Sequence, residues 1–487
     1  MRNAPYTVAV LLSSSLALAQ PAAASQPEQQ NPESASEDLG AIAERHAAPL
    51  VDSGIVPGLV VGVLREGERS YFGFGRLSND KPATPDGRTL FEIGSITKTF
   101  TATLLADAVA RGELDLDDPI TVCLPEGVDP PRWKGAAPTL GQLADHTSGM
   151  ARLPMNLAAL DQTDPYAGYG SDRLWENLET SGLLRAPGER YGYSNLGVGL
   201  LGTLLARHEG TPYPELVRER ITGPLGMDDT AIELTEAQRA RFAQPHLPGG
   251  DPVPAWTFDA LAGAGALRST AADLLTWADA QLDPGSTPLT EAIRITHEPR
   301  FNITDRPTMV ALGWHIAGDA DTLLHDGGTG GSRSILLVSP KHDAAVVVLA
   351  NAADERVAAV GEKILQTLAG DNPEPIRIQA DEIVADVPDE ALARLHGAYT
   401  HPLLGRLVIS PDGDRVRAKL GAQPALAVFP SSRRELFYRV IEARLEFELP
   451  DDEGGKAVAV TLHQAGRAFR FERTADDKAG DNGGDND

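Results

Sequence analysis

Cysteine is almost missing: Cys123 is the only one in 487 residues, so neither an intramolecular disulfide nor a thiolate metal cluster can form. In "TVCLPEG" that lone thiol reads as a small apolar filler. Basic residues are also short, 43 Lys+Arg against 69 Asp+Glu for a formal net charge of −26. Such a surface repels a phosphate backbone instead of releasing its counterions, which excludes nucleic acid as a partner. No internal apolar run approaches the ~20 residues that cross a bilayer. No His-x-x-x-His or paired Cys/His spacing exists, so His146 in "DHTSGM" and His315 in "GWHI" are taken as structural, and neither metal nor cofactor is expected.

What is present begins with an export signal. Arg2 precedes the apolar "VAVLLSSSLALA" and small-residue cleavage candidates after Ala19 and Ala24, giving a signal peptide and leader over 1–24. No cysteine sits near either cleavage point, so no stable membrane anchor is expected. The length exceeds what one hydrophobic core usually holds, which predicts a large domain and a smaller one. The large domain is assigned to 25–372, a linker to 373–388, an all-β domain to 389–474 and a disordered acidic tail, "ADDKAGDNGGDND", to 475–487.

Within the large domain, "GLVVGVLREGERSYFGFG" reads as two strands around the turn Glu66-Gly67, and "SRSILLVSP" and "AAVVVLAN" as two more near its end. Helical spacing fills the middle and the closing "ERVAAVGEKILQTLAG". Hairpins at both ends of a helical middle predict an antiparallel sheet covered by helices, with a helical subdomain inserted. In the smaller domain "ARLEFEL" alternates Leu445, Phe447 and Leu449 with Arg444, Glu446 and Glu448, and turns such as "SPDGD" separate similar runs. A small barrel or sandwich is expected.

Serine three residues before lysine occurs twice. Ser78 and Lys81 lie in "LSNDKPATPDG", a turn-forming loop where nothing fixes hydroxyl against ammonium. Ser95 and Lys98 open a helix in "FEIGSITKTF", where i and i+3 side chains share a face and Phe100, Leu104, Leu105, Ala108 and Val109 follow at helical intervals up to Gly112. A serine hydroxyl needs a base, and a lysine serves only when burial and nearby positive potential lower its pKa. The alternative is a Ser95 N-cap beside a surface lysine. Two further stretches add to the signal: "GERYGYSNLG", with Tyr193-Ser194-Asn195 before a helix, where a core aromatic and a helix cap are the alternatives, and "LLHDGGTGGSRSILLVSP", with His325-Asp326-Gly327-Gly328 leading into a strand, where a plain glycine turn is the alternative.

Ser-x-x-Lys, Tyr-x-Asn and a basic residue with x-Gly, in that order, resemble the serine β-lactamase and penicillin-binding-protein family, most nearly its class C branch with related D-peptidases and esterases. Connecting stretches such as "LADHTSGM", "ITGPLGMDDT" and "ALAGAGALRSTAADLL" are similar as well, over about 38–370, and the β domain looks like the accessory domain of many relatives. The resemblance implies a β-lactamase/transpeptidase-like α+β fold and an exported, cofactor-free serine hydrolase. Its substrate would be a small molecule or peptide: a β-lactam, a D-amino-acid peptide or an ester. Ser95 would be the nucleophile, Lys98 its base and Tyr193 the proton relay, with Tyr191 the poorer fit to Tyr-x-Asn. Asn195 would hold the substrate amide, and the backbone N–H groups of Ser95 and Gly328 would form an oxyanion hole, Gly327 keeping the strand edge open.

The resemblance departs from the β-lactamase pattern at His325, where those enzymes place lysine. A neutral imidazole offers no permanent charge to a substrate carboxylate, which weighs against a β-lactam more than against hydrolysis. Arg333 could supply the missing charge, but a surface-facing arginine is expected. A carboxylesterase on the same fold, and a non-catalytic sensor of cell-wall peptides, are the competing readings. "GVGLLG" at 197–202 matches a dinucleotide fingerprint but continues as one apolar helix, so helix packing explains it. "GYSNL" lacks the second glycine of an α/β-hydrolase elbow. Oligomeric state and the role of the β domain are left open by the sequence.

Overall fold

A computed structural model describes residues 38–78, 80–157, 163–303, 308–317, 322–379, 382–413, 415–450 and 454–474. The expected signal peptide and acidic tail lie outside the described residues.

β1 (Gly58–Arg65) and β2 (Glu68–Gly75) form a hairpin around Glu66 and Gly67, both at positive φ, which matches the right-handed twist of the strands. β3 (Phe91–Glu92) pairs with β4 (Arg268–Ser269) in a separate two-stranded sheet. β5 (Phe301–Ile303), β6 (Thr308–Val310), β7 (His315–Ala317), β8 (Thr322–Gly328), β9 (Arg333–Ser339) and β10 (Ala344–Ala350) complete an antiparallel sheet of order β2-β1-β10-β9-β8-β7-β6-β5.

The two-residue period of the central strands divides their side chains between two cores. Leu59, Val61, Val63, Val346 and Val348 pack with α1 (Leu39–Asp52) and the helix Arg356–Leu368. Val60, Leu64, Val347 and Leu349 face the opposite core, which includes α2 (Thr97–Ala110) and the helical subdomain. Helix α2 is buried nearly all round, and the hydroxyls this brings inside find partners: Thr99 donates to the Ile96 carbonyl, Thr103 to that of Thr99 and Thr101 to that of Gly263. It ends at Ala110, just before Gly112 at φ +72°, as the sequence predicts.

The subdomain includes α3 (Leu140–Ala144), α4 (Ser171–Thr180) and α5 (Asn195–Glu209). Ser194 caps α5 by accepting the Gly197 N–H, and Gly210 ends it in the left-handed region. The dinucleotide-like glycines serve packing: a Cβ on Gly199 would meet Leu261, and one on Gly202 would meet the Gly263 backbone.

The second domain is a closed eight-stranded barrel: β11 (Gly397–His401), β12 (Gly405–Asp412), β13 (Arg415–Leu420), β14 (Leu426–Ser432), β15 (Glu435–Tyr438), β16 (Ala443–Glu448), β17 (Ala459–Gln464) and β18 (Arg467–Arg473), which returns to β11 at Tyr399. Leu445 and Phe447 point into its core while Glu446 and Glu448 are exposed. Closure leaves no open sheet edge, and the interior is filled by Tyr399, Leu436, Leu445 and Phe471. Two devices join the barrel to the large domain. Arg415 and Arg417 both donate to Asp251, and Arg439, stacked on Phe429, donates to the Ser53 and Gly54 carbonyls.

Candidate active site

Ser95 sits in a 3-10 turn, Gly94–Ile96, that runs directly into α2. Gly94 takes φ +49°, and a Cβ there would lie 2.6 Å from the Gly328 nitrogen, so only glycine lets β8 come this close to the serine turn. Gly327 does a similar thing one residue earlier. Its missing side chain would strike the Ile93 carbonyl oxygen and the Ser334 hydroxyl, both inside the protein. Glycine at 327 thus lets the strand reach the backbone before Ser95. Gly328, paired with Arg333 across the sheet, then brings its N–H to the same corner as the serine turn.

One helical turn places Lys98 beside Ser95, with Nζ and Oγ 2.8 Å apart, and Nζ also donates to the Ala264 carbonyl at 2.5 Å. The lysine is 0% exposed. Burial holds its pKa well below the ordinary lysine range, and the Arg152 guanidinium pushes the same way against a weaker pull from Asp326. Tyr193 lies over this pair, its ring centroid 5.0 Å from Nζ. Burial raises the phenol pKa, and a polar contact with Ser95 opposes that rise only in part.

Two histidines flank Tyr193, and a third stands behind one of them. His146 packs against it at 4.3 Å between ring centroids, and its Nδ1 accepts the Ser194 N–H, so the neutral ring carries its proton on the buried Nε2. His325 lies 6.3 Å from Tyr193, and His315 5.4 Å from His325. Tyr191 is hydrogen-bonded to His315 Nε2 at 3.0 Å, while Tyr193 is the tyrosine that faces Lys98. His146 packs on Tyr191 and Tyr193, and His315 holds the Tyr191 hydroxyl, so these two structural histidines line the Tyr193 side of the site. Their only signal was proximity to stretches that resemble the family.

His325 is 1% exposed, and burial lowers its pKa to about 3, with His315 and Lys98 adding to the effect. Its Nδ1 donates to the Asp326 carbonyl at 2.6 Å, which leaves Nε2 as a buried acceptor without a partner among the described residues. Arg333 departs from the surface-facing arginine expected. Its side chain is 12% exposed and donates to Asp326 at 2.9 Å, so its charge is matched within β8 and β9.

Asn195 starts α5, with its Nδ2 donating to the Tyr166 hydroxyl at 3.2 Å and its Oδ1 buried without a partner among the described residues. Tyr166 stacks on Phe258 at 4.7 Å and meets Trp256 edge-on, forming an aromatic wall. Glu92, three residues before Ser95, was not singled out from the sequence. Its buried carboxylate accepts from the Thr329 and Ser332 hydroxyls and the Trp256 N–H. The one cue was an acid in the apolar run "LFEI". Among the described residues no group of His, Cys, Asp and Glu is arranged to hold a metal, and no helix is long and apolar enough to cross a membrane.

The family model described as Beta-lactamase matches residues 43–370. A β-lactamase of Pseudomonas fluorescens is 28% identical over 349 residues, 64% of this chain and 94% of its own. A β-lactamase of Escherichia coli K12 is 30% identical, covering 58% of this chain and 72% of its own. The D-alanyl-D-alanine-carboxypeptidase/endopeptidase AmpH of Escherichia coli K12 is 27% identical, covering 63% and 83%. The matched span stops short of the barrel and holds every residue of the Ser95 pocket described above, and the chain is a serine hydrolase of the β-lactamase family.

Proposed function

We propose that the protein is an exported hydrolase that opens an amide or ester through an acyl-enzyme on Ser95. The observation that carries this reading is the 2.8 Å approach of the fully buried Lys98 amine, whose pKa burial holds well below the ordinary range, to the serine hydroxyl. Neutral Lys98 takes the Ser95 proton as Oγ bonds to the substrate carbonyl carbon. The carbonyl oxygen turns to an oxyanion against the N–H groups of Ser95 and Gly328. Lys98 and Tyr193 then pass a proton to the leaving nitrogen or oxygen, whose bond to carbon breaks. Water repeats the sequence on the ester and frees Ser95. Arg2 and the apolar run behind it support export.

Relatives named for β-lactams and for D-alanyl-D-alanine peptides support these two substrate classes. Neutral His325 in the lysine position offers no charge to a carboxylate, so a substrate that carries one needs a cation elsewhere around Ser95. A fluorescent fluorophosphonate and a fluorescent penicillin test the reading: at least one is expected to form a covalent adduct on Ser95. Ser95→Ala should abolish labelling and lower turnover by roughly 10⁵-fold without unfolding the chain. Turnover retained by that variant would remove Ser95 from the reaction.

A further inference from the structure

Four observations describe where the positive charge of this pocket lies. His325 presents Nε2 as an acceptor at the place where a cation would meet a carboxylate, so a carboxylate there would face a lone pair. Arg333, the nearest guanidinium on the sheet, is already matched by Asp326. Lys98 is fully buried and engaged with Ser95 and Ala264. Arg152 differs from all of these. Its side chain is exposed, lies 5.1 Å from the centroid of the Tyr193 ring, and has no carboxylate partner among the described residues.

The placement of Arg152 is fixed from behind. Its backbone carbonyl accepts the N–H groups of both Asn195 and Leu196, which ties its loop to the first turn of α5. The next turn back in the chain holds His146 against Tyr191 and Tyr193. A guanidinium over an aromatic face keeps its in-plane N–H donors directed outward, free to grip a carboxylate in the two-pronged manner arginine favours. Leu153 and Met155, both exposed, flank it and would cover the apolar part of such a ligand.

We infer that Arg152 is the carboxylate anchor of this pocket, taking the substrate's acidic group on the Tyr193 side of the cleft in place of a cation on β8. The inference rests on the acyl-enzyme reading of Ser95 and specifies its substrate class as carboxylate-bearing peptides or esters. It also gives the loop 150–156 a part in specificity that the rest of the pocket does not supply.

The test separates binding from chemistry. In the full chain carrying Ser95→Ala, calorimetry compares N-acetyl-D-alanyl-D-alanine with its C-terminal amide at low salt. The acid should bind about tenfold more tightly, the worth of one charge-assisted pair. Adding Arg152→Ala should bring the acid-to-amide ratio to about one, and Arg152→Lys should restore part of it. In the unmutated Ser95 background, nitrophenyl butyrate and the nitrophenyl monoester of glutaric acid give the kinetic counterpart: Arg152→Ala should lower kcat/KM for the acid relative to the neutral ester, through KM. An acid that binds no more tightly than its amide, or a preference that survives Arg152→Ala, overturns the inference. Turnover retained by Ser95→Ala would instead overturn the acyl-enzyme reading, and the binding ratio would still report on Arg152.

Discussion

Two segments of this chain share the pattern Ser-x-x-Lys and do opposite things with it. At Ser95 the spacing falls where a 3-10 turn enters a helix, and the lysine amine meets the serine oxygen in a buried pocket. At Ser78 it falls in a turn: the serine oxygen accepts the backbone N–H of Lys81 at 2.9 Å, and the Lys81 ammonium reaches out to the Ala240 carbonyl at 3.5 Å. The first arrangement joins two side chains, the second a side chain to a backbone. Three residues of separation thus carry no chemistry by themselves. The helix supplies the shared face, and burial supplies the lowered pKa.

Breaking the contrast at the lysines should give the largest effect. Lys98→Met keeps volume and removes the base, so kcat/KM should fall by about 10⁴-fold, the upper range for a positioned acid–base group; Lys81→Met should leave it unchanged. The pH profile sharpens the same point. Because the folded-state pKa of Lys98 is depressed, the amine stays neutral far below the ordinary lysine value of about 10.4. Activity should therefore be retained as pH falls from 10 and decline only on passing the lowered value. A decline that tracks the ordinary lysine range would show that Lys98 is not the base.

Tyr193→Phe comes next. The ring stays against Lys98 and His146 while the relay hydroxyl is lost, so kcat should fall by about 10²-fold with the acyl-enzyme accumulating. Intact-mass detection of the trapped adduct checks this, and an unchanged rate would remove the phenol from the proton path.

Of the trio Ser95, Lys98 and Tyr193, the first two were legible because an i, i+3 spacing at a helix entrance puts both on one face, and the third because its Tyr-x-Asn stretch resembles the family. The hairpin at Glu66-Gly67, the helix ending before Gly112 and the alternation in "ARLEFEL" were legible for a related reason: each follows from a local period or a turn residue. Arg152, His146 and Glu92 were not, because their roles come from tertiary neighbours distant in the chain. Glu92 meets Thr329, Ser332 and Trp256, none of which its own sequence surroundings announce. The same holds for Arg333, whose partner Asp326 is set by strand register and not by hydropathy. The choice between barrel and sandwich likewise depended on one long-range pairing, β18 with β11.

Glu92 measures how much the framework around Ser95 matters. Its carboxyl, pushed up in pKa by burial, ties the turn after Gly328 to the strand before Ser95, the two segments that carry the proposed oxyanion donors. Glu92→Gln replaces one accepting oxygen by a donor and leaves hydroxyl or amide partners unmatched. Stability should drop by about 2 kcal/mol, and kcat/KM should fall about tenfold through kcat, since small displacements of donors are felt in the transition state. A KM effect alone would place Glu92 outside the oxyanion geometry.

Ser78→Ala is the smallest perturbation and the one that closes the comparison. Ser78 is buried, and among the described residues its hydroxyl accepts one N–H, that of Lys81, which also meets the Ser78 carbonyl at 3.3 Å. Removing the side-chain oxygen leaves that donor with its backbone partner, so no polar group is stranded. The loss should be about 0.5–1 kcal/mol, read as a small shift of the urea midpoint, with kcat/KM and fluorophosphonate labelling of Ser95 unchanged. A loss of labelling in Ser78→Ala would mean that the turn at 78–81, not the helix entrance at 95–98, governs the reactive serine, and the distinction drawn between the two segments would fail.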